Sequence, residues 1–237
     1  MSEHLQRNQT MRVRLVNPYP KYKPSGVDWL GEIPAHWEVK PLKFSVRMNP
    51  EVLPETTDPN YQFEYIDIGS VNSVGQLGDV TEMAFENAPS RARRLVAPGD
   101  TILSTVRTYL KAVALVEASE GDRVVSTGFA VLRPAKGIEP RFLWKLVQSE
   151  HFIQSTVAHS EGVGYPAISP STLGRLSLCL PPKEEQLVIA NFLDRETAKI
   201  DTLMAKIREG TERLKEYRTA LISAAVTGKI DVRGDGQ

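Results

Sequence analysis

Few residues in this chain have the types and spacing that chemistry requires. Asp28 lies ten residues before Glu38-Val39-Lys40. Two carboxylates and a lysine so arranged could hold Mg²⁺ and stabilise charge developing on a phosphodiester. The spacing is loose, and sets of this kind arise often by chance. Gly162-Val163-Gly164 lacks the preceding strand, following helix and third glycine of a dinucleotide loop. Cys179 sits in the apolar run Leu176–Leu180, a core setting rather than that of a nucleophile. His4, His36, His151 and His159 have no metal-ligand spacing.

Asn17-Pro18-Tyr19 is similar to the Asn-Pro-Pro-Tyr motif of adenine methyltransferases, with one proline missing and no strand or glycine-rich loop before it. Taken together, these residues make the chain non-catalytic by itself. The remaining polar candidates suit binding. Arg91, Arg93 and Arg94 cluster, and Arg107, Tyr109 and Lys111 follow. Arg and Lys supply phosphate contacts, and Arg can also engage guanine bidentately. The loop 159–169 holds His159, Ser160, Gly162, Gly164 and Tyr165. Its glycines would let backbone approach a ligand closely, and its polar tips could meet base edges. The plainer reading of each is a solvated surface or an ordinary loop.

These residues need a scaffold. Residues 21–180 read as mixed α/β with more strand than helix. The runs 63–71, 100–107, 111–117, 123–134 and 176–180 are rich in β-branched and apolar residues. Pro98-Gly99-Asp100 and Glu120-Gly121-Asp122 signal turns. No alternating βαβ spacing supports a doubly wound parallel sheet. Residues 140–157 suggest one or two short helices. The clearest element is a helix over 183–227, preceded by Pro181-Pro182 and followed by Thr227-Gly228. Leu193, Ile200, Ile207, Leu214 and Leu221 repeat every seven residues, and Leu203, Tyr217 and Ala224 occupy the second seam position. Glu196 and Gly210 interrupt that second seam. This is a coiled-coil pattern. About 40 residues at 1.5 Å each would form a rod of roughly 60 Å that needs another helix to bury its seam. The fold class expected is therefore α+β: a tail (1–20), a mixed domain (21–182), a long helix (183–227) and a second tail (228–237).

Composition narrows the classes. In 237 residues, 29 Lys+Arg balance 29 Asp+Glu, and 41% are hydrophobic. Such a chain buries a core and is not disordered. One cysteine excludes an intramolecular disulfide framework and fits a reducing cytoplasm. No run of about 18 apolar residues suggests a membrane span, and the first 20 residues contain no secretory signal pattern. Zero net charge hides segregation. Residues 51–87 carry eight acidic side chains and no basic ones, whereas 88–145 carry ten basic and five acidic. Fields depend on where charge sits, so a basic face for a polyanion is compatible with neutrality overall.

The sequence resembles the specificity subunit of type I restriction–modification systems. Residues 26–40 (GVDWLGEIPAHWEVK) are similar to the start of that family's target recognition domain, and 162–169 (GVGYPAIS) to its late loop. Residues 180–207 and 214–234 resemble its helical spacer, through Pro-Pro-x-x-Glu-Gln, Ile-Asp and Val-Thr-Gly-Lys-Ile-Asp-Val.

The resemblance implies a protein without catalytic activity that reads a bipartite DNA sequence in the cytoplasm. It would carry methyltransferase subunits and admit a restriction/translocase subunit. S-adenosylmethionine, ATP and Mg²⁺ would be bound by those partners and no cofactor by this chain. The usual member holds two recognition domains and two antiparallel spacer helices, so this chain looks like half of one. A homodimer through antiparallel C-terminal helices, with Leu193, Ile200, Leu203, Ile207, Leu214, Tyr217 and Leu221 in the seam, would then read an interrupted palindrome. The competing readings are a stand-alone Mg²⁺-dependent nuclease using Asp28, Glu38 and Lys40, and a coiled-coil adaptor without DNA contact.

Overall fold

The computed structural model of the chain describes residues 18–27 and 30–233. Its contacts divide it into two compact units, one ending at Leu187 and the other beginning at Val188. The first unit contains strands β1 (Tyr22–Pro24), β2 (Glu32–Pro34), β3 (Glu38–Pro41), β4 (Val46–Met48), β5 (Gln62–Ile66) and β6 (Thr81–Ala84). Then come β7 (Ala92–Val96), β8 (Thr101–Ser104), β9 (Val113–Leu115), β10 (Arg123–Ser126) and β11 (Phe129–Pro134). Helices α1 (Pro140–Gln148), α2 (Glu150–Ala158) and α3 (Pro170–Leu173) follow, then β12 (Ser177–Leu180) and the long helix α4 (Lys183–Val226).

Two four-stranded sheets form the heart of this unit, ordered β6-β5-β10-β7 and β4-β11-β8-β9. All their pairings are antiparallel except β5 with β10, where Val124 stands beside Tyr65. One core joins both sheets through Ile66, Ile102, Ala114, Val125, Phe129 and Val131. A second lies on the other face of the first sheet and contains Leu53, Phe63, Tyr65, Ala92 and Val124. Val124 and Val125 are adjacent and point to opposite faces, as strand geometry demands. Both faces of β10 are apolar because both are covered. The pair β12-β3 sets Cys179 opposite Val39, and the hairpin β1-β2 sets Lys23 opposite Ile33.

The expected strands are present but trimmed. The run 63–71 stops pairing after Ile66 and enters a 3₁₀ turn at Ile68–Ser70. The run 123–134 breaks into β10 and β11 at the turn Thr127-Gly128. A Cβ on Gly128 would sit 2.6 Å from Ile68 Cδ1, so the chain passes close here. The expected helical stretch is two helices: Ser149 ends α1, and its Oγ accepts the Phe152 N–H at 3.4 Å to start α2. Strands β1, β2, β3, β4, β6 and β7 carry no strong local signal. They are three to five residues long and polar-rich, and pairing with distant segments forms them.

Helix α4 is 44 residues long. Glu184 and Glu185 occupy its first turn, where acidic side chains meet the positive end of the helix dipole. At the far end Gly228 takes φ +69°, and the Lys229 N–H returns to the Ala224 carbonyl at 2.8 Å. This is the left-handed glycine stop. Among the described residues, no helix is long and apolar enough to cross a membrane.

Candidate nucleic-acid interface

The sequence places Arg107 and Tyr165 far apart, and main-chain hydrogen bonds bring them together. Thr105 donates its N–H to the Gly128 carbonyl at 2.8 Å, and the Ile168 N–H donates to the Thr105 carbonyl at 2.9 Å. Arg107 donates its N–H to the Pro166 carbonyl at 2.8 Å. Val106 bridges Ala167, which also bridges Glu161 and closes the base of the 162–166 loop. Thr108 Oγ1 lies 2.9 Å from Ser160 Oγ. Gly162 and Gly164 take φ +107° and +83°, values that favour glycine. Between them Val163 is fully exposed, and Tyr165 stands 68% exposed with the Arg107 guanidinium 4.3 Å above its ring. Tyr109 is also exposed, on the 3₁₀ turn Thr108–Leu110. Arg107 and Lys111 flank that turn in left-handed backbone, at φ 49° and 57°. Non-glycine residues hold such geometry only where their surroundings enforce it.

The 127–128 turn links the other arginine cluster to the same hydrogen-bonded backbone. The Thr127 N–H donates to the Arg91 carbonyl at 2.8 Å, one residue before Gly128 receives Thr105. Arg91 is exposed. Arg93 lies 4.7 Å over the Phe85 ring. Arg94 turns inward, where its Nη1 donates to the Phe129 carbonyl. Lys111 pairs with Glu150 at 2.5 Å, and His159 Nδ1 meets the Ser155 carbonyl at 2.8 Å. Main-chain hydrogen bonds thus link the Arg91, Arg107 and Tyr165 segments, but Arg94 faces the protein rather than solvent.

Other basic groups of the 88–145 stretch also have internal partners. Arg133 forks onto Asp100, with Nε and Nη2 each 2.9 Å from a carboxylate oxygen, and also donates to Glu51. Asp100 is 1% exposed, and these partners hold the Arg133 guanidinium in its charged form. Arg123 pairs with Glu64 at 2.5 Å. Part of the acidic stretch 51–87 is therefore neutralised within the domain.

Of the other candidates, Glu38 and Lys40 pair with each other on β3. Asp28, Asn17 and His4 lie outside the described residues. Among the described residues no group of three or more His, Cys, Asp or Glu could hold a metal ion. Cys179 is buried, and burial pushes its thiol up to about 11.

Sequence reasoning missed the roles of Glu185 and Gln186. Glu185 accepts hydrogen bonds from Tyr19 Oη at 2.5 Å and Trp37 Nε1 at 3.1 Å, and lies 2.7 Å from His36 Nε2. Burial pushes its carboxyl up, but the Tyr19, His36 and Trp37 hydrogen bonds outweigh that and hold it below its ordinary value. Gln186 is 2% exposed. Its Oε1 accepts the Glu139 N–H, and its Nε2 donates to the Gly137 and Pro181 carbonyls. The Glu-Gln pair of the Pro-Pro-x-x-Glu-Gln run thus anchors the first turn of α4. The only sequence signal for this was the motif itself.

In the second unit the heptad positions are open. Ile200, Leu203, Ile207, Leu214, Tyr217 and Leu221 are all exposed, and Leu193 is partly buried.

A mixed-sheet domain with a glycine- and arginine-bearing loop surface, continued by a long helix with an open apolar seam, defines a recognition-module architecture. The family model for the type I restriction modification DNA specificity domain matches residues 34–213. The chain belongs to that family. It is 24% identical over 208 residues to the type I restriction enzyme StySPI specificity subunit of Salmonella potsdam, covering 84% of this chain and 44% of that protein. It also resembles the crystal structure of the HsdS subunit from Thermoanaerobacter tengcongensis, with TM-score 0.62 and 32% identity, covering 79% of this chain and 47% of that one. A chain from a structural study of complex assembly and conformational transition of the type I R-M system matches with TM-score 0.64 and 30% identity, covering 85% and 51%. The chain spans about half the length of the relatives it matches.

Proposed function

We propose that this chain reads DNA sequence for a type I restriction–modification enzyme in the cytoplasm and performs no bond-making or bond-breaking itself. The observation that carries this reading is the joining of the Arg107 turn to the Tyr165 loop. The joined segments carry half-buried Arg107 and exposed Tyr109 and Tyr165 beside glycine backbone, with exposed Arg91 linked through the 127–128 turn. Exposed arginines supply phosphate contacts, and loop side chains meet base edges. Methylation of adenine belongs to partner methyltransferase subunits carrying S-adenosylmethionine. Cleavage belongs to a restriction/translocase subunit using ATP and Mg²⁺. The chain scaffolds these partners.

The open seam of α4 is the basis for the assembly. A second copy, running antiparallel, buries Ile200, Leu203, Ile207, Leu214, Tyr217 and Leu221 against the same residues. A two-fold pair places identical recognition surfaces on the DNA, which makes the target an interrupted palindrome. With 44 residues, α4 is about 66 Å long, against about 34 Å per duplex turn, so the two surfaces can occupy separate major grooves. The deciding experiment co-expresses the chain with its methyltransferase and maps methylated adenines across a genome. An interrupted palindrome is expected. No sequence-dependent methylation sinks the DNA-reading role, and an asymmetric motif sinks the symmetric dimer.

A further inference from the structure

Of five basic side chains at the candidate interface, Arg91 interacts with Tyr65, and the surroundings of the other four single one out. Arg94 is engaged by the Phe129 carbonyl, Arg93 by the Ala92 carbonyl and the Phe85 ring, and Lys111 by Glu150. Arg107 has no hydrogen bond or ion pair to its guanidinium among the described residues. Its planar group is held 4.3 Å over the Tyr165 ring. Its backbone is set by φ 49°, by the N–H bond to Pro166 and by the neighbouring Val106–Ala167 bridge. A free arginine loses considerable rotamer freedom when it binds, and this one is already ordered with its N–H edges unengaged.

Resting on the DNA-reading role proposed above, we infer that Arg107 is a specificity-determining residue that reads a guanine in the major groove, with Tyr165 as its positioning residue. The fork of a guanidinium presents two parallel donors. Guanine alone offers two acceptors, N7 and O6, side by side. Adenine sets a donor beside its acceptor, thymine offers one acceptor and a methyl group, and cytosine offers a donor. A phosphate contact can be made by a point charge without a fixed plane, as lysine makes it. An arginine already ordered over the Tyr165 ring with its donors unengaged is therefore suited to base reading.

The test uses the complete complex with its methyltransferase, and duplexes carrying the mapped target. Each guanine of the half-target is replaced in turn by 7-deazaguanine, which lacks the N7 acceptor. At one position the native complex should bind roughly tenfold more weakly. Arg107→Gly, which accepts φ 49° without strain, should be insensitive to the same replacement. Arg107→Lys should retain the steep salt dependence of the native complex, and Tyr165→Leu should fall between the native and Gly forms in its response to the replacement. The inference is overturned by a half-target without guanine, by indifference of the native complex to every replacement, or by sensitivity that persists in Arg107→Gly. In each of these cases sequence-dependent binding survives and the DNA-reading role stands. A native complex with no sequence preference at all overturns both.

Discussion

Glu185 Oε2, in the first turn of α4, lies 2.7 Å from His36 Nε2, and the two residues are 149 apart in sequence. The same carboxylate receives Tyr19 and Trp37. The segment before β3 and the start of the helix thus meet on one side chain, and Gln186 secures the other side through the 137–139 backbone. Hydrogen bonds to a charged group contribute more than neutral ones, and groups left without partners cost desolvation.

Glu185→Gln should therefore destabilise the first unit by roughly 1–3 kcal/mol at neutral pH, read by urea denaturation. The sign of the pH dependence follows from the lowered carboxyl. A group with a depressed folded-state value adds stability above its unfolded value, about 4.3 for Glu, and loses it as pH falls through the folded value. The gap between native and Glu185→Gln proteins should close as pH drops below about 4. A gap that stays constant between neutral and acid pH refutes the carboxylate's role.

Asp100 and Arg133 form a forked pair at the end of the β8–β11 pairing, next to Leu132 and Thr101, with Asp100 Oδ2 also accepting the Ala97 N–H at 2.8 Å. Removing one partner of such a pair leaves the other charge poorly compensated. Asp100→Ala should cost about 3 kcal/mol by denaturation, a larger loss than Asp100→Asn, which keeps an acceptor. Equal losses for the two substitutions would argue against the ion pair.

The three clustered arginines should separate by assay. Arg94→Ala should lower stability by roughly 1–3 kcal/mol, because the Phe129 carbonyl loses its donor, and should leave sequence preference intact. Arg91→Glu with Arg93→Glu should cost only the modest stability of the Arg93–Phe85 and Arg91–Tyr65 contacts and weaken DNA binding by the complex. The slope of log affinity against log salt should fall by about one to two units. Unchanged salt dependence would remove this cluster from the interface and favour an adaptor without DNA contact.

The seam of α4 gives the assembly test. Ile200→Asp with Ile207→Asp places two charges on the exposed apolar stripe. The doubly substituted chain should sediment as a monomer at concentrations where the native chain is a dimer. A doubly substituted chain that still dimerises refutes burial of this seam.

The long helix was legible in the sequence because its causes are local: a seven-residue apolar repeat, prolines before it, and a glycine after it that adopts φ +69°. The apolar runs of β8, β10 and β11 were legible for the same kind of reason, since strands covered on both faces are continuously hydrophobic. The family resemblance rested on motifs, and the Glu-Gln of the spacer run proved to be an anchor for the helix start. Only the tertiary structure decided what each arginine does. Arg94, Arg107, Arg123 and Arg133 are chemically identical and lie in one basic stretch. Their roles follow from partners 33 to 82 residues away: the Phe129 carbonyl, the Tyr165 ring, Glu64, and Asp100 with Glu51. A guanidinium is available to DNA only where folding leaves its donors unengaged, and that depends on which distant acceptors the sheets and loops carry to it.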